Sequence, residues 1–70
     1  MPTHMNIYDL PLYTEVWDIE KKMKGKITKI HPPKDYHYRW YTVTLENNKN
    51  RRMYTWNIPT YFTILRKGIT

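Results

Sequence analysis

Two runs decide the fold class: Tyr38-Arg39-Trp40-Tyr41-Thr42-Val43-Thr44-Leu45-Glu46 and Arg51-Arg52-Met53-Tyr54-Thr55-Trp56. Both are dense in β-branched and aromatic residues, which suit a pleated, half-buried surface. Asn47-Asn48-Lys49-Asn50 lies between them and is rich in residues that tolerate turn geometry. The pair therefore reads as an antiparallel hairpin. A loop of two or four residues sets Glu46 opposite Arg51, Thr44 opposite Met53, Thr42 opposite Thr55 and Trp40 opposite Asn57. The opposite-charge pair and the Thr–Thr pair are favourable cross-strand neighbours. The other face then gathers Tyr41, Val43, Leu45, Tyr54 and Trp56 as core. A loop of three or five residues would slip the register and invert these faces, because side chains alternate with a period of two. The polar-against-apolar contrast selects the even loops.

Three more strand-like runs flank the hairpin: Glu15–Ile19, Lys26–Ile30 entered through Gly25, and Tyr61–Leu65 after a turn at Pro59. Only residues 18–24 hint at a helical turn. The chain reads as all-β, with residues 13–70 as one domain and residues 1–12 as an extended N-terminal arm, since Pro11 biases Leu10 away from helix. Met1–His4 carry no pattern and resemble the seam that cloning leaves ahead of a second start at Met5.

The order Val16-Trp17-Asp18-Ile19, Gly25-Lys26-Ile27-Thr28-Lys29-Ile30, a long loop, Tyr41–Leu45 and a final Ile58-Pro59…Phe62…Leu65 resembles the small SH3-like barrels. Gly25 to Ile30 is similar to the KOW motif, in which a glycine starts a strand and apolar residues follow two and five positions later. Further glycines are usual in that motif, and Gly68 is the one other glycine here. Chromo-barrel, Tudor and integrase C-terminal domains share the architecture. The resemblance, over about residues 13–66, implies a single five-stranded SH3-like β-barrel. Members bind nucleic acid, ribosomal or polymerase partners, or modified peptides, so the fold alone does not choose among them.

Charge narrows the choice. Residues 1–20 carry four acids and no Lys or Arg; residues 21–70 carry all 12 basic residues against Asp35 and Glu46, a net +10. Such a basic segment attracts polyanions. Without Cys, disulfides and Cys-based zinc sites are excluded. Without Ser, Cys or a Gly-rich phosphate loop, an enzyme is not expected. Asp18 and Glu20, two apart on a strand, read as its solvated edge rather than a catalytic pair. His31, Asp35 and His37 form the one thinkable ligand set, but loop histidines without repeated spacing are ordinarily free side chains, so no metal or cofactor is expected. No run approaches the ~18 apolar residues of a membrane helix, and no signal segment opens the chain. The expected setting is the cytoplasm, that of a host cell if the chain is viral.

The informative pattern is the interleaving of bases and rings. Lys22, Lys24, Lys26 and Lys29 run from the first loop along the second strand. Lys34 and Arg39 flank Tyr36 and Tyr38, and Lys49, Arg51 and Arg52 crown the hairpin tip. These cations suit phosphates, and Tyr36, Tyr38 and Trp40 suit stacking on unpaired bases. Trp40 is either an outward stacking platform or lies under the N-terminal arm, covered by Ile7, Leu10 and Leu12. The expectation is a non-catalytic nucleic-acid-binding module, DNA or RNA. The alternative is a small protein-interaction module, such as a viral or phage accessory protein or inhibitor. It would grip an acidic or nucleic-acid-handling partner through Tyr38, Trp40 and Met53, an aromatic patch of the kind enriched at interfaces. A methyl-lysine cage from Asp35, Tyr36, Tyr38 and Trp40, as in Tudor-like barrels, is disfavoured by the surrounding positive charge.

Overall fold

The computed structural model describes residues 10–32 and 39–68. Alternation of apolar and polar side chains builds five strands: β1 (Glu15–Asp18), β2 (Met23–His31), β3 (Trp40–Leu45), β4 (Asn50–Tyr54) and β5 (Phe62–Arg66). A single 3-10 turn, Thr55–Asn57, separates β4 from β5. All five join one antiparallel sheet in the order β4-β3-β2-β1-β5. The all-β class and the five strands agree with the sequence reading. Closure into a barrel does not follow: the sheet is open, and β4 and β5 are its two edges.

One face of the sheet carries the core of Leu10, Val16, Ile27, Tyr41, Val43, Leu45, Met53 and Phe62. Leu10 belongs to this cluster, and its backbone N–H donates to the Tyr41 hydroxyl at 3.2 Å. It therefore lies on the opposite face from Trp40, while Leu12 is exposed and Ile7 lies outside the described residues.

The β3–β4 hairpin departs from the expected register. Tyr41 pairs with Met53, Thr42 with Arg52, Trp40 with Tyr54 and Thr44 with Asn50. The loop has three residues, closed by Leu45 N–H donating to Lys49 O at 2.8 Å and Asn48 N–H donating to Leu45 O at 2.8 Å. Asn48 takes φ = 68°, the left-handed residue that such three-residue hairpins require and that Asn accepts readily. An odd loop inverts β4. Met53 turns inward and is buried, while Trp56 leaves the core for the 3-10 turn and is 62 % exposed. Tyr54 is half-buried on the outer face.

Inverting β4 also sends Arg51 inward, opposite Val43. Its Nη1 donates to Asp18 Oδ2 at 2.8 Å and its Nη2 meets Glu20 Oε1 at 3.0 Å. Its guanidinium lies over the Phe62 ring, 5.6 Å from the centroid. Asp18 is fully buried rather than a solvated edge residue, and β1 is interior to the sheet. The other Asp18 oxygen accepts Lys21 N–H at 2.9 Å and the Asp18 carbonyl accepts Lys22 N–H at 2.7 Å, which shapes the β1–β2 turn. Burial disfavours the charge on Arg51, but hydrogen bonds and attraction from Asp18 and Glu20 outweigh it and raise its pKa above the ordinary arginine value. These contacts tie β4 to β1 and β5 by side chains where no ladder does.

Gly25 lies inside β2, two residues beyond its start, rather than at its entry. A Cβ there would come within 2.6 Å of Val43 Cγ1 and 2.9 Å of Leu45 Cδ2. Any side chain would overpack the core at its middle. Gly25→Ala is therefore expected to lower stability by about 1–3 kcal/mol, seen as a lower urea midpoint at constant m. An unchanged midpoint would mean that the core yields freely at this point. Arg51→Met leaves the buried Asp18 carboxylate without its counter-charge and should cost about 3 kcal/mol. Adding Asp18→Asn should recover part of that loss, and simple additivity of the two would remove the case for the pair.

Candidate nucleic-acid interface

The strands that build the candidate face, β2, β3 and β4, contain no acidic residue. Their outer face carries Lys24, Lys26 and Lys29 from β2 and Arg52 from β4, set among Thr28, Thr42, Thr44 and Asn50. The lysines share this face because β2 is bulged. Ile27 pairs with Val43 and Lys29 with Thr42, leaving Thr28 as the extra residue. A bulge resets the alternation by one, so Lys29 and His31 join Lys24 and Lys26 on one side. The Thr28 and Thr44 hydroxyls hydrogen-bond to each other at 2.9 Å, and Thr44 Oγ1 donates to Asn50 Oδ1 at 2.8 Å. This row fixes the middle of the face. A groove of about 430 Å³ opens at the turn end, lined by Lys24, Lys26, Thr28 and Thr44 and flanked by Glu15 and Glu46.

Rings cross the strands at the opposite end. His31 stacks on Trp40 with centroids 3.7 Å apart and planes 7° from parallel. Its Nε2 is 2.9 Å from Thr42 Oγ1, which sets the ring's orientation. Trp40 meets Tyr54 at 5.9 Å with a tilt of 34°, and Tyr54 stacks on Trp56 at 5.3 Å and 9°. Arg52 lies over Trp40 at 4.6 Å from its centroid, and its Nη1 donates to the Tyr54 hydroxyl at 3.1 Å. The sequence places Trp40 on the outer face, and it is there. It is not an open platform, however, because His31 from β2 and Arg52 from β4 flank it. The ring that ends the row in solvent is Trp56.

The sequence-derived site residues distribute unevenly. Lys24, Lys26, Lys29, Trp40 and Arg52 come together on this face. Lys22 and Lys49 lie exposed in the β1–β2 and β3–β4 turns at the groove end, with Lys22 at φ = 58°. Arg39 is half-buried just before β3. Arg51 points to the other side of the sheet and is held by Asp18 and Glu20. Lys34, Tyr36 and Tyr38 lie outside the described residues, as do Asp35 and His37. The alternative patch of Tyr38, Trp40 and Met53 loses Met53 to the core, because the three-residue loop turns it inward. Sequence reasoning missed Tyr54 and Trp56 as surface rings. The available signal was Asn48, which permits the odd loop. Among the described residues, no group of three or more His, Asp or Glu could hold a metal ion.

No protein-family model, curated protein or solved structure matches this chain. Any functional assignment thus rests on the chemistry of the face.

The two tryptophans of the ring row carry different burdens. Trp40→Ala removes the middle of the row and should cost about 2 kcal/mol of stability, less than a fully buried Trp. Trp56→Ala should stay within about 0.5 kcal/mol of wild type, as for an exposed side chain. Equal losses in thermal or urea unfolding would contradict the assignment of Trp56 as the open end.

Proposed function

We propose that this chain is a non-catalytic nucleic-acid-binding module whose contact surface is the outer face of β2, β3 and β4. The observation that carries the reading is the combination on one face of four outward cations, three acid-free strands and a row of stacked rings. Lys24, Lys26, Lys29 and Arg52 supply phosphate contacts. The Thr and Asn side chains between them are fixed polar groups that can reach sugar or base edges. Arg51 is left out of the phosphate contacts because it already serves Asp18 and Glu20. Trp40 acts as a spacer that holds His31, Arg52 and Tyr54 in place.

Electrostatic capture of this kind has a measurable signature, because each neutralised phosphate releases counterions. If four cations each meet one phosphate, log K falls against log salt with a slope of about −3.6 on a duplex and about −2.8 on a single strand. Fluorescence anisotropy with labelled oligonucleotides at roughly 50 and 200 mM salt reads this slope. The double variant Lys26→Glu, Lys29→Glu is expected to bind more weakly, with about half the slope. Absence of binding at the lower salt, or an unaffected double variant, would retire the assignment.

A further inference from the structure

We infer that the ligand of this face is single-stranded nucleic acid, with one unpaired base seated on Trp56. The inference rests on the nucleic-acid reading above and narrows it. A purely electrostatic surface should favour a duplex, whose two strands place one charge every ~1.7 Å against ~3.4 Å for one strand. What this face adds to its cations is a ring available only to a base with a free surface. Trp56 is 62 % exposed and stacks on Tyr54 by one side. Among the described residues, no other ring or guanidinium covers it. In a duplex the faces of internal bases are covered by their neighbours, so only an unpaired base can occupy this position.

The layout also gives the strand a path. The rings lie at the His31 end of β2 and the lysines continue toward Lys24, a distance of about 20 Å at strand rise. A backbone leaving Trp56 meets Arg52 and then Lys29, Lys26 and Lys24. It ends beside Thr28 and Thr44 at the groove of about 430 Å³, whose far wall carries Glu15 and Glu46 and bounds the path of an anionic strand. The site is short, about four nucleotides, at the small end of single-strand binding surfaces. Base identity matters little to such a seat, since every base has a π-face, whereas pairing matters a great deal.

The test is a competition series on the intact chain, with a labelled oligo-dT displaced by unlabelled oligo-dT, oligo-rU or a blunt duplex of equal length. Oligo-dT or oligo-rU, or both, should compete better than the duplex; which one does so separates DNA from RNA as the source. Trp56→Ala should weaken single-strand binding by about 5- to 150-fold while retaining the salt slope, because the phosphate contacts persist. Trp56→Phe should restore much of the loss. A duplex that competes as well as the single strands overturns the inference while leaving the nucleic-acid reading intact, and so does a Trp56→Ala variant that binds like wild type. Failure of all three competitors and of the labelled strand itself to bind removes the broader reading as well.

Discussion

The ion pair between Asp18 and Arg51 sets the phase of everything around it. The two residues come from β1 and β4, which are not neighbours in the sheet. Their contact at 2.8 Å therefore acts across the mouth of an open structure rather than along a ladder. Asp18 is fully buried, and among the described residues its carboxylate is otherwise served by a backbone N–H from Lys21. A buried charge in that position demands a partner. Supplying it fixes Arg51 as an inward residue, and the period of two then leaves no choice for β4: Met53 goes in, Arg52 and Tyr54 go out. The composition of the outer face is thus a consequence of how the inner face is neutralised.

Much of the fold is written locally. The apolar positions of β3, Tyr41, Val43 and Leu45, are legible from alternation, and all three are buried. The failure lies in β4, where Arg51, Met53 and Tyr54 offer no clean alternation and loop length had to decide. The polar-against-apolar contrast of the two faces favours an even loop, but Asn48 takes a left-handed angle and the loop is odd. The burial of Asp18 could not be read locally either, because its partner is 33 residues away in sequence. Nor does a strand advertise a bulge when its polar residues fit either phase. On the outer face, the lysines of β2 and the position of Trp40 were legible. The openness of Trp56 was not, since it depends on the register of β4.

The outer face divides labour between shape and charge. Its rings are already stacked on one another, and Arg52 is already committed to Trp40 and Tyr54. Ordering such side chains on binding ordinarily costs free energy, and a face that holds them beforehand avoids part of that cost. The lysines remain exposed and unconstrained by acidic neighbours on their own strands, which suits contacts that need only proximity to a phosphate. Rigid at one end and adaptable at the other, the surface suits the proposed ligand, with one base in a defined place and a backbone beyond it that varies.

The extra residue at Thr28 has a consequence for how this surface can vary over evolutionary time. Length changes in proteins are ordinarily confined to loops, yet here β2 holds one residue outside its ladder, and whether that residue bulges or pairs decides which letters of the sequence face the solvent. Were Thr28 to pair in the ladder instead, the strand downstream would rotate by one step, bringing Ile30 beside Trp40 and sending Lys29 and His31 toward the interior. The two halves of β2 are thereby written in different reading phases, joined at Thr28 as at a frameshift. A substitution on either side changes a single contact. A deletion of Thr28 at the joint would instead leave a regular ladder with Lys29, Ile30 and His31 opposite the same partners, so the aromatic end tolerates the loss of a residue there.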